Sequence, residues 1–134
     1  MRKYFTISIV VFLAMFILSV IVHGFILHPF NKDLLVGIVS ESAERNYLAI
    51  TINYLALSIG LSVLIVKINK EKSYRLAGLI GAVVGGLLFL NFGLSNMFIL
   101  PEWPLLVVIT DTMGVAVIFT ILGLLITFLD TKIK

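Results

Sequence analysis

The sequence predicts an all-α integral membrane protein, a four-helix bundle with its N-terminus and C-terminus both cytoplasmic. Three observations carry this expectation. The 134 residues are 60% hydrophobic and 13% charged, with a mean hydropathy of +1.17. So little charge does not cover the surface of a water-soluble domain of this size. Four apolar stretches, at about 4–27, 47–66, 74–98 and 105–129, each reach the roughly 20 residues that cross a bilayer as helix. The basic residues then sort by side: Arg2, Lys3, Lys67, Lys70, Lys72, Arg75, Lys132 and Lys134 fall on one side of a four-span chain, Lys32 and Arg45 on the other. Lys and Arg collect on the cytoplasmic side. The spans use most of the chain, so residues 1–134 read as a single transmembrane domain in a bacterial cytoplasmic membrane.

The first span follows Arg2 and Lys3, as a signal peptide would. Its apolar core exceeds the usual ~7–15 residues and no Ala-x-Ala site follows, so it reads as a retained helix. Ser19 and His23 share one face of it at i,i+4. His28 and Pro29 mark its expected end, since the residue before proline disfavours helix. The outer loop 31–46 is long for a bundle connection. Leu34, Leu35, Ile38 and Val39 would form one face of a short helix in the headgroup layer, either a partial lid or a lipid-anchored connector.

The second span carries Thr51, Asn53 and Tyr54 in its outer half. The charged loop 67–75 reads as a cytoplasmic anchor and no more. In the third span Gly78, Gly81, Gly85 and Gly86 make small-xxx-small patterns that let membrane helices approach closely. They read first as packing within the bundle and second as a homo-oligomer seam. They are not a phosphate loop, because no strand precedes them and no Lys-Ser/Thr follows. Asn91, Ser95 and Asn96 lie beyond them. The turn Leu100–Pro104 holds Trp103, an expected interface anchor, and Pro104 suits the first turn of the fourth helix. Seven residues on, at 1.5 Å rise each, Asp111 lies about 10 Å into that helix. It is the one acid within the four spans as drawn, and a carboxylate in hydrocarbon is normally there for a purpose.

His23, Asn53, Tyr54, Asn91, Ser95, Asn96 and Asp111 all fall in the outer half of the bilayer, whereas the inner half has scattered hydroxyls such as Ser62, Thr120 and Thr127 that can bond their own helix. A shared polar pocket opening outward is therefore expected, with these residues as ligand-binding groups. Its chemistry suits a small polar or cationic solute. The alternatives are a structural or assembly subunit docked through the third helix, and a small membrane enzyme using the Asp111–His23 pair. A hydrogen-bond network that only fixes packing is the bland reading of the same residues.

Several functions lose their residues. The chain has no cysteine, which removes thiol chemistry and iron–sulfur clusters. No metal site is expected, since His23 and Asp111 find no third strong ligand at depth. No haem or other cofactor is expected either. The small multidrug exporters need an acid in the first helix, and retinal proteins need a lysine deep in a span; this chain has neither. A net charge of +3 calls for no nucleic-acid partner. Membrane lipid is the expected surrounding.

Phe92-Gly93-Leu94-Ser95-Asn96, then Leu100, Trp103-Pro104 and Asp111 form a pattern. It resembles the signature of the bacterial membrane proteins grouped as domain of unknown function 2177, which runs Tyr-Asp-Leu-Thr-Asn, Leu, Trp-Pro, Asp and Trp-Gly. Gly93 stands in place of the usual aspartate, and Gly114 falls one place early without its tryptophan. Leu18 and Ile21 occupy the region of a first-helix Asp-x-x-Trp. A related family of unknown function, 1761, has the same layout and is the runner-up. The resemblance implies the four-helix fold and singles out Asn96, Trp103 and Asp111, without an activity.

Overall fold

The computed structural model describes residues 2–38 and 47–133. Val39, Arg45 and Lys134, used in the reading of the outer connection and the charge bias, lie outside them. Four helices are long and apolar enough to cross a membrane: α1 Arg2–Asn31, α2 Tyr47–Ile68, α3 Tyr74–Ile99 and α4 Leu105–Lys132. They run alternately up and down. One end of the bundle, here the basic end, holds Arg2, the 69–73 turn and Lys132. The far end holds Asn31, Tyr47, Ile99 and Leu105.

Helix α1 continues past the expected stop at His28–Pro29. Residues Val20–Leu27 form a π-helical segment, and His28–Asn31 then resume α geometry. Proline breaks an α-helix because its ring meets the carbonyl four residues back and it lacks an N–H. The wide turn immediately before Pro29 changes that register and lets the helix carry on. The chain beyond it makes one 3-10 turn, Asp33–Leu35, so the short amphipathic helix expected from Leu34 onward is not formed among the described residues.

Lipid tails are as apolar as leucine, so these helices associate through close packing and polar bonds. The closest packing is between α3 and α4. A Cβ on Gly81 would collide with the backbone carbonyl of Phe119, one on Gly85 would lie 2.7 Å from the Phe119 side chain, and one on Gly123 would collide with the Ala77 carbonyl. Gly78 faces Thr120 and Leu124 at ordinary contact distance, and Gly86 is looser, with Ala116 at 3.9 Å. The glycines therefore pack α3 onto α4 of the same chain. Gly81 and Gly85 are covered from within, which removes them as the seam for an assembly partner.

Helices α1 and α2 pack against each other and across α4. Ile7, Val11 and Met15 of α1 meet Leu61 and Ile65 of α2 and Val115, Ile118, Phe119, Leu122 and Ile126 of α4. This core lies toward the basic end. Near the far end the bundle splays, and Tyr47 through Asn53 of α2 are all exposed.

The 67–75 loop does more than anchor. Asp130, almost buried, takes Lys3 Nζ at 2.9 Å on one carboxylate oxygen and Lys72 Nζ at 3.3 Å on the other. Both ammonium groups also donate to its backbone carbonyl. Beside it, Asn69 donates to Thr127 Oγ1 at 3.1 Å and to the Ser73 carbonyl at 2.9 Å, while its own Oδ1 accepts the Ser73 N–H at 2.8 Å. Ser73 then caps α3 by accepting from the Leu76 N–H. The start of α1, the α2–α3 turn and the end of α4 are thus tied at one point. Thr127, expected to bond its own helix, belongs to this tie. Thr120 does bond its own helix, donating to the Ala116 carbonyl.

Candidate functional site

The far end of α4 presents Thr110 and Asp111 toward α1. The neighbour that meets them is Asn31, at the last turn of α1 and 6% exposed. Its Nδ2 donates to Asp111 Oδ1 at 3.0 Å, and its Oδ1 accepts from Thr110 Oγ1 at 3.1 Å. Both ends of one carboxamide are thus used, which fixes how α1 meets α4. Sequence reasoning missed Asn31 because α1 was expected to stop at Pro29. Extending the helix through that proline would have set an amide beside the start of α4.

His23 lies in the π-helical segment, a geometry that is rare in helices. Its imidazole is within electrostatic range of the Asp111 carboxylate, and its ring centroid lies 5.9 Å from that of Phe89. Its Nε2 is buried without a hydrogen-bond partner among the described residues. Close by, Gly114 receives α1: a Cβ there would stand 2.8 Å from Leu27 and 3.0 Å from Val22. The π segment and α4 are therefore in direct contact one turn below Asp111.

The other expected site residues do not join this cluster. Asn91 and Ser95 are exposed on α3, and the Ser95 hydroxyl donates to the Asn91 carbonyl at 2.8 Å. The reason is the glycine face. Gly93 packs on Val108 of α4, and a residue two positions away points about 200° around the helix. Asn53 is exposed on the splayed part of α2. Tyr54 borders the core, with its ring edge-on to Phe16 at 6.3 Å. Asn96 is half-buried; its backbone carbonyl accepts from Leu100 N–H at 2.7 Å. Trp103 is half-buried at the α3–α4 turn.

Among the described residues, one concavity at this end is a groove of about 280 Å³ lined by Gly37, Ile38, Leu100, Pro101 and Glu102. Asp111 is not among its lining residues. Among the described residues no three His, Cys, Asp or Glu side chains come together as a metal cage would require.

The arrangement defines a four-span helical membrane protein with one carboxylate held between its first and last helices, bonded by a neutral amide. The family model for a predicted membrane protein, DUF2177, matches residues 4–128. The chain belongs to this family of membrane proteins of unknown function, and the match extends the residue 92–114 resemblance over nearly the whole chain. No curated protein and no solved structure matches it.

Proposed function

We propose that the protein binds a proton or small cation at Asp111 and serves its passage across a bacterial cytoplasmic membrane, with the basic end inside. One observation carries this reading. Asp111 lies in an apolar helix, and among the described residues its hydrogen-bond partner is the neutral Asn31. Buried charges are ordinarily paired. An amide dipole orients a carboxylate without neutralising it, so an exchangeable cation or proton supplies the balance. His23, whose buried Nε2 has no hydrogen-bond partner among the described residues and which lies in electrostatic range of that carboxylate, is the candidate to exchange a proton with it through an intervening water. The excess of Lys and Arg at the opposite end supports the orientation.

The test is flux in proteoliposomes of the purified chain, following internal pH, Na⁺ and K⁺ in turn. Wild type is expected to carry one of these ions, and Asp111→Asn to fall to the rate of empty vesicles. Wild-type vesicles that move none of the three, or an Asp111→Asn rate equal to wild type, would overturn the reading.

A further inference from the structure

The outward face of α3 carries a regular pattern that the bundle itself does not use. Val83, Leu87, Asn91, Leu94 and Phe98 follow one another at steps of four, four, three and four, and all are exposed. Steps of three and four residues keep all five side chains on one face of the helix. Asn91 interrupts it at the centre. No hydrogen bond from its carboxamide is formed within the described chain, although its backbone carbonyl accepts from Ser95. Eight residues from the end of α3, at 1.5 Å each, it sits about 12 Å from the far end of the helix. Hydrocarbon offers such a group no partner, and an unbonded amide there is costly.

We propose that α3 docks along this stripe against α3 of a second copy of the chain, the two Asn91 carboxamides exchanging hydrogen bonds across a two-fold axis along the membrane normal. A carboxamide has both a donor and an acceptor, so it is complementary to itself. An axis along the normal sets both amides at one depth and keeps both basic ends on one side. A single asparagine within an apolar seam fixes register and copy number in helix pairs, and amides bond across helices in membranes. The glycine face, already closed by α4, is not involved.

The chain has no native cysteine, so single cysteines report this contact without background. In proteoliposomes of the purified full chain, Leu87→Cys and Leu94→Cys should form disulfide-linked dimers on treatment with copper–phenanthroline. Val83→Cys serves as a further position on the stripe. Leu13→Cys, exposed on α1, should stay monomeric. Energy transfer between labelled copies under lipid dilution should show Asn91→Leu weakening the dimer by about 3- to 30-fold, with Asn91→Gln retaining most of it. The proposal is overturned if none of the stripe cysteines cross-links, if Leu13→Cys cross-links as readily, or if Asn91→Leu leaves dimerisation unchanged. Cross-linking that occurs only in native membranes, to a protein of different mass, would equally overturn it.

Discussion

Asp130 and Asp111 lie on the same helix, nineteen residues apart, and the protein treats them in opposite ways. Asp130 takes two ammonium groups and ties three segments of chain at the basic end. Among the described residues Asp111 takes one hydrogen bond, from a neutral amide, at the far end where residues 47–53 of α2 are exposed. The surroundings follow the same division. Glycines press α3 onto α4 along the core, whereas the π-helical segment of α1 meets α4 one turn from Asp111 and residues 47–53 of α2 are exposed. One end has its charges and close contacts satisfied internally. The other holds its carboxylate through a neutral amide, without an ion pair among the described residues and with the His23 imidazole as a titratable neighbour.

The largest effect should come from breaking the tight end. Gly81→Ala places a methyl group against the Phe119 carbonyl, which cannot swing aside. We expect a loss of about 3 kcal/mol, seen as a lowered thermal unfolding midpoint in detergent. Gly86→Ala, with open contact to Ala116, should be neutral or slightly stabilising, since alanine favours helix by up to about 1 kcal/mol. Equal losses for the two variants would refute the packing account.

The two carboxylates themselves provide the sharper contrast. Asp130→Asn leaves Lys3 and Lys72 facing one another without a counter-charge. Their partial exposure screens that repulsion, so a loss of about 1–3 kcal/mol is expected. Asp111→Asn keeps an oxygen for Asn31 and removes an unbalanced charge, so stability should be unchanged or slightly higher, within about 0.5 kcal/mol of wild type. Parallel unfolding titrations of the two variants decide this; a destabilised Asp111→Asn would make that carboxylate a scaffold group. Asn31→Ala falls between these two, since it leaves Thr110 and Asp111 without their shared amide. It should cost about 1 kcal/mol and alter flux while leaving the basic end intact, as read by unchanged proteolysis of the 67–75 loop.

The four helices were legible because twenty apolar residues in a row have one solution in lipid, a helix with its backbone bonded internally. Asp111 was legible for the related reason that a carboxylate there is costly. What hydropathy does not contain is rotation. A helix that is apolar all round gives no phase, so depth alone argues for Asn91 and Asn53 in a shared pocket. For Asn91 the phase was present in another form: Gly81, Gly85 and Gly93 mark the face that meets α4, and Asn91 lies on the other side. Asn31 was hidden by a local rule, that helices stop near X-Pro, which the π segment overrides. Asp130 was hidden because it falls one residue past the apolar stretch, and its lysines come from distant parts of the sequence.

That π segment also makes α1 a counted mechanism. A helix in which eight residues are wound more loosely than an α-helix delivers everything after it at a different angle from the one its length alone would give. Were Val20–Leu27 rewound as α-helix, Asn31 would be carried around the axis and away from Thr110 and Asp111, while Ile7, Val11 and Met15 kept their places in the core. The pitch of one stretch of α1 thus decides whether an amide faces the carboxylate.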